Sequence, residues 1–134
     1  MKVMLINAVA EKGSTGRICS ELAEELQSSG NDVKLLYASG TTSSGYAERV
    51  SNGFLGKVNA LLARITGLNA HFCRCSTSKI IRCIKQYQPD VIHLHNGHAH
   101  YLNLPRFLKF VQKNNIPLVI TLHDCWFFTG KCTH

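Results

Sequence analysis

No apolar run in this sequence approaches the ~20 residues a helix needs to cross a bilayer, so none is read as a membrane span. A secretory leader is not read either. The start, MKVMLINAVAEKG, sets one lysine before an apolar run too short for a leader core and without a convincing cleavage site; a first strand explains it better. The expected compartment is therefore the cytoplasm. Acidic residues are scarce, 8 against 15 lysines and arginines, which leaves a net charge of +7. That imbalance points to an anionic partner. Nucleic acid, a nucleotide, a phospholipid surface or a lipid pyrophosphate would each serve, and charge alone does not choose among them. Prolines number only three, and each falls at the margin of a predicted element: Pro89 after a helix, Pro105 in a first helical turn, Pro117 at the head of a strand. Internal repeats, heptads and low-complexity tracts are missing. With no leader, the six cysteines read as thiols and not as a disulfide framework.

What is present fits one globular domain: 134 residues, 45% hydrophobic. Val3 to Ala8 reads as a buried strand, running through Lys12-Gly13-Ser14-Thr15-Gly16-Arg17 into a helix whose inner side carries Ile18, Leu22 and Leu26 beside Cys19 and Ala23. Ser14 or Thr15 is the expected cap and Gly30 the stop. A second strand, Val33 to Ala38, follows, then a Ser/Thr/Gly-rich loop from Ser39 to Asn52. The segment from Gly53 predicts a helix with Leu55, Val58, Leu62 and Ile65 on one face; Ser78 to Tyr87 predicts another with Ile80, Ile81 and Ile84 inward. Asp90 to Leu94 is a third strand. Asn103 caps a helix bearing Leu104, Phe107, Leu108 and Val111, and Leu118 to Leu122 closes the series as a buried strand. Strands alternating with helices give an α/β fold, a Rossmann-like parallel sheet with helices on both faces.

Three stretches can carry chemistry. The loop Gly13, Ser14, Thr15, Gly16, Arg17 leads a strand into a helix, where backbone N–H groups and the helix dipole make an anion seat. Its spacing matches neither GxxxxGK[ST] nor GxGxxG, so a plain turn remains open; Arg17 beside Gly16 favours a phosphate or sugar contact. The second stretch, HLHNGHAH, puts His93 and His95 on one strand face and His98 and His100 in the loop beyond. Four histidines invite a metal reading. One short segment would need a sharp fold-back to use them all, so His93 reads as packed, with His95, Asn96 and Gly97 lining a cleft at the strand end. The third, HDCWFFTGKCTH, delivers His123 and Asp124 at the end of the last strand, where open α/β sheets keep their ligands. This pair is the candidate for orienting a hydroxyl or buffering a proton. Cys125, Cys132 and His134 could join His123 as zinc ligands, though the spacing is no familiar zinc pattern, and Cys125 and Cys132 could pair on oxidation. No metal and no other cofactor is expected. From Gly53 to Lys85 runs a basic amphipathic stretch with Lys57, Arg64, Arg74, Lys79, Arg82 and Lys85, either a solvated face or a membrane-surface contact through Phe54 and Leu55. Aromatics and bases are not interleaved on one face as nucleic-acid binding would ask.

Taken together, MKVMLIN, KGSTGR, QPDVIHLHN, YLNLPRF and IPLVITLHDCWFFTGKC resemble the N-terminal domain of GT-B glycosyltransferases of family 4, nearest the bacterial branch that builds exopolysaccharide, colanic-acid-like or O-antigen sugars. The resemblance covers essentially the whole chain and is strongest in PDVIHLHN and TLHDCWFFTGKC. It implies sugar transfer from a nucleotide-diphosphate sugar to a saccharide or lipid-linked acceptor, usually without a metal, in polysaccharide biosynthesis. It also implies that Gly13 to Arg17 approaches the diphosphate, that His123 faces the donor sugar, that His95 and Asn96 line the cleft, and that the enzyme sits on the inner membrane face. Such enzymes carry a second Rossmann-like domain that holds the nucleotide sugar. The sequence therefore reads as a single, incomplete acceptor-side domain over 1–134 that is expected not to turn over alone. The alternative is a non-catalytic Rossmann-like module that binds an anionic nucleotide or a membrane surface.

Overall fold

A computed structural model describes residues 1–51, 53–68 and 70–129. The elements are β1 (Lys2–Val9), α1 (Gly13–Ser28), β2 (Asp32–Ser39), β3 (Ala47–Arg49), α2 (Gly53–Thr66), α3 (Arg74–Tyr87), β4 (Val91–His95), α4 (Leu104–Lys113), β5 (Leu118–Thr121) and α5 (Trp126–Thr129). All the strands pair in parallel, in the order β3-β2-β1-β4-β5. The expected α/β class, a Rossmann-like parallel sheet with helices on both faces, is what forms.

Period-2 alternation sorts the strand residues between two cores. Met4, Ile6 and Ala8 of β1, Leu36 and Ala38 of β2, and Ile92 and Leu94 of β4 meet α3 and α4 through Ile80, Ile84, Phe107 and Val111. Val3, Leu5, Val33 and Leu35 face the other way and meet Cys19 and Ala23 of α1. The helix after β1 and those before and after β4 thus lie on opposite faces, as right-handed crossovers on either side of β1 require.

Several expectations need correction. The stretch read as loop contains β3, too short to show a period; it forms because Leu35, Leu36 and Tyr37 pair with Ala47, Glu48 and Arg49, and because Glu48 meets Lys34 at 2.9 Å. Helix α1 turns its small residues inward. Gly16, Cys19, Ser20 and Ala23 are buried while Ile18 is exposed, since small side chains let the helix axis approach the sheet. A Cβ on Gly16 would stand 3.1 Å from the Glu11 nitrogen and 3.2 Å from Val9 Cγ2. The helix is entered from Lys12 with no side-chain cap, so Ser14 and Thr15 lie in its first turn; Gly30, at φ +80°, follows Ser29 as the expected stop. In α2, Val58, Leu62 and Ile65 are exposed, not packed, and Ala63 is the buried residue among the described side chains. Leu55, on the same expected face, lies outside those described. Strand β5 is an edge strand. Leu118 reaches the core, but Val119, Ile120 and Leu122 are exposed.

Candidate active site

Parallel strands end on one edge of the sheet, and three of these ends carry the sequence candidates. β1 leaves through Ala10 to Lys12 into the glycine loop, β4 ends at His95 followed by Asn96, and β5 runs on to His123 and Asp124. Since β1 neighbours β4 and β4 neighbours β5, the loop departs one strand from His95 and two from His123.

The register sets His93 opposite Val119 and His95 opposite Thr121. The side-chain bonds run diagonally instead, each reaching two residues further along the chain, to Thr121 at the end of β5 and to His123 just beyond it. His93 Nε2 lies 2.7 Å from Thr121 Oγ1, and His95 Nδ1 lies 2.9 Å from His123 Nε2. Adjacent strands twist, and diagonal neighbours on one face come within reach of long side chains. The rings of His93 and His95 stand 4.1 Å apart, and those of His95 and His123 stack at 5.2 Å, inclined by 25°. Histidines on alternate positions of β4 and in the exit from β5 thus become one contiguous array.

Burial grades the array. His95 is only 1% exposed, and Tyr101 donates its hydroxyl to the His95 carbonyl at 3.3 Å. Desolvation pushes the His95 imidazole down to about 4, with His93 and then His123 adding repulsion; His93 is lowered by burial and then by His123. A neutral, hydrogen-bonding array follows for the two β4 histidines at neutral pH.

Asp124 serves a different partner from its sequence neighbour. Its Oδ2 lies 3.2 Å from His98 Nε2, and its Oδ1 accepts from the Trp126 backbone at 3.0 Å, which opens α5. His98 also stacks on Trp126 at 5.0 Å. Burial lowers His98, against the opposing pull of Asp124, with His100 adding to the fall. The carboxylate therefore ties the loop after β4 to the loop after β5.

The glycine loop is anchored from below by Asn7, fully buried in β1. Its amide donates to the Val9 carbonyl at 3.0 Å and to the Thr15 carbonyl at 3.1 Å. Glu11 sits at φ +55° in the turn, and Gly13 and Arg17 are exposed. An uncapped helix start with no acidic residue in its first turn leaves N–H groups open to an anion.

The structure thus brings His95 and His123 together, parts Asp124 from His123, and sets the loop on the same edge. Asn96, at φ +43° and half-buried, ends β4 beside them. Sequence reasoning passed over Asn7 and Thr121, and placed His98 in the loop after β4 without its partner Asp124. A polar residue inside the apolar run of β1, and the alternation Val119, Thr121, His123, were the signals available for the first two. Among the described residues no three His, Cys, Asp or Glu side chains group to hold a metal; Cys132 and His134 lie outside the described residues, and Cys125 is a free, exposed thiol.

Comparison with known proteins agrees with this architecture. Residues 15–132 match the model of Glycosyltransferase Family 4. A curated relative, the putative colanic acid biosynthesis glycosyl transferase WcaC of Escherichia coli (strain K12), is 41% identical over a 49-residue alignment. That alignment covers 33% of this chain and 12% of the relative. With nearly its whole length matched by the family model, the chain belongs to glycosyltransferase family 4.

Proposed function

We propose that this chain forms the acceptor-side wall of a sugar-transfer cleft, in an enzyme that moves a sugar from a nucleotide-diphosphate sugar to a saccharide or lipid-linked acceptor in cell-surface polysaccharide biosynthesis. The observation that carries the reading is the meeting of His123 with His95 at the sheet edge from which the glycine loop also departs. Family membership supplies the reaction class.

In this reading His123 faces the donor sugar, Gly13 to Arg17 approach the diphosphate, and Asn96 borders the cleft. Asp124 contributes by holding the His98 loop and α5 in place, and His95 by supporting His123 from within. Transfer at an anomeric carbon needs donor and acceptor held in near-attack geometry, and the leaving diphosphate needs its charge stabilised. Residues 1–134 offer one wall of such a cleft; a second Rossmann-like domain would hold the nucleotide. No metal or other cofactor enters the scheme.

A peripheral contact with the inner membrane face completes it. Helix α2 exposes Val58, Leu61, Leu62 and Ile65 next to Lys57 and Arg64 and contains no acidic residue, a composition suited to anionic headgroups. Phe54, first read as an anchor there, lies outside the described side chains.

The test is a nucleotide-sugar and lipid-linked-acceptor panel run on a complete enzyme containing this domain and on residues 1–134 alone. Turnover by the complete enzyme that falls about 10²-fold or more in His123→Ala, with none from the isolated chain, is the expected result. Wild-type turnover in the variant would remove His123 from the site. Ordinary transferase rates from the isolated chain would show that one wall suffices.

A further inference from the structure

One proton lies in the bond between His95 Nδ1 and His123 Nε2, and burial decides which ring owns it. Nε2 of His95 is buried and has no hydrogen-bond partner among the described residues. A neutral imidazole has one N–H and one bare nitrogen. Were Nδ1 to accept, the N–H of His95 would sit on Nε2, a buried donor with nothing to receive it. If Nδ1 donates, the orphan is only a lone pair. Buried donors left unpaired are the rarer and costlier condition. A doubly protonated His95 is disfavoured at neutral pH by its burial and by two neighbouring imidazoles.

We propose that His95 is a positioning residue: by donating its Nδ1–H to His123 Nε2, it holds His123 in the Nδ1–H tautomer. His123 then has its basic nitrogen occupied, and its outward nitrogen carries a proton. Half-buried, with no partner for Nδ1 among the described residues, His123 presents a hydrogen-bond donor to the cleft and cannot serve there as a base. The chemistry it fits is an oxygen acceptor, either a sugar hydroxyl or a diphosphate oxygen. That last step rests on the transferase reading; the tautomer does not.

The experiment is a long-range ¹H–¹⁵N correlation spectrum of the chain labelled at its histidine imidazoles, at neutral pH, with His123 assigned by its loss in His123→Gln. The expected spectrum shows His123 protonated at Nδ1 and bare at Nε2, in about fivefold excess over the other form if the bond is worth the usual amount. In His95→Leu the preference shifts to the Nε2–H form that a histidine free in water favours. In His95→Asn, whose amide can donate from near the Nδ1 position, the Nδ1–H form is kept. A wild-type His123 protonated at Nε2 or at both nitrogens overturns the proposal, whatever becomes of the His95 variants. Retention of the Nδ1–H form in His95→Leu overturns the role of His95. Should the tautomer be as expected while His123→Ala of the complete enzyme turns over normally, the transferase reading of His123 fails and the tautomer assignment stands.

Discussion

Two regions of one sheet face are built from neighbouring parallel strands and hold opposite contents. Under α1, the face of β1 and β2 presents Val3, Leu5, Val33 and Leu35 to Cys19 and Ala23, all buried. Across β4 and β5 the same face presents His93, His95, Thr121 and His123, held by two side-chain hydrogen bonds and ring stacking. His93 is directly opposite Leu5 in the register, so the change from apolar to polar takes one strand spacing. The first region is held by removing apolar area from water; the second is held by the two hydrogen bonds its rings make, and at His95 Nε2, buried without a partner among the described residues, a tautomer is selected. The apolar layer and the candidate site thus share a face, divided between β1 and β4.

The comparison is broken most severely from the apolar side. Leu5→Ala should cost ~2–5 kcal/mol, since a fully buried side chain between two sheet neighbours leaves a cavity; chemical denaturation measures it, and a loss below ~1 kcal/mol would mean this layer collapses to fill the gap.

From the polar side the lever is pH. The His95 pKa is lowered in the fold to about 4 from an ordinary 6.5, so the unfolded chain binds its proton first as pH falls. Stability from this residue is intact above about pH 6.5 and is lost progressively down to about pH 4, by up to ~3 kcal/mol. His93, His98 and His100, also lowered, add the same sign. Melting curves across that window should flatten in His95→Leu; an unchanged slope would place the burden elsewhere.

At the β1–α1 turn, Gly16→Ala should cost ~1–3 kcal/mol, because its Cβ meets the Glu11 backbone at 3.1 Å. Equal stability would mean that the β1–α1 turn yields by a few tenths of an ångström. The smallest effect belongs to the surface pair at the far edge. Lys34→Met removes a partner of Glu48 at 2.9 Å, but both side chains are about one-third exposed, so under ~1 kcal/mol is expected. A larger loss that shrinks as salt is added would show β3 to be held by this pair and not by its backbone ladder.

Legibility followed the range of the interaction. Strand and helix order came from local periodicity, and the cap at Asn103, which accepts from the Arg106 nitrogen at 3.0 Å, came from local chemistry. β3 was hidden because three residues show no period. The exposure of Val58 and Ile65 was hidden because amphipathic spacing says that a helix has a face, not that anything covers it. In the site, His123 and His95 were visible as strand-end histidines. The partition of Asp124 to His98 was not, since adjacent residues in an extended chain point opposite ways and the partner belongs to another loop.

The sequence by itself determined the parallel α/β order, the sheet edge at which the candidate residues gather, and the residue types delivered to it, because those depend on patterns a few residues long. Only the tertiary structure decided which histidine is buried, which nitrogen meets which, and which partners take the two Asp124 carboxylate oxygens. Those depend on strands 28 residues apart coming into one register, and on a twist that displaces each contact from the partner directly opposite to the one two residues on.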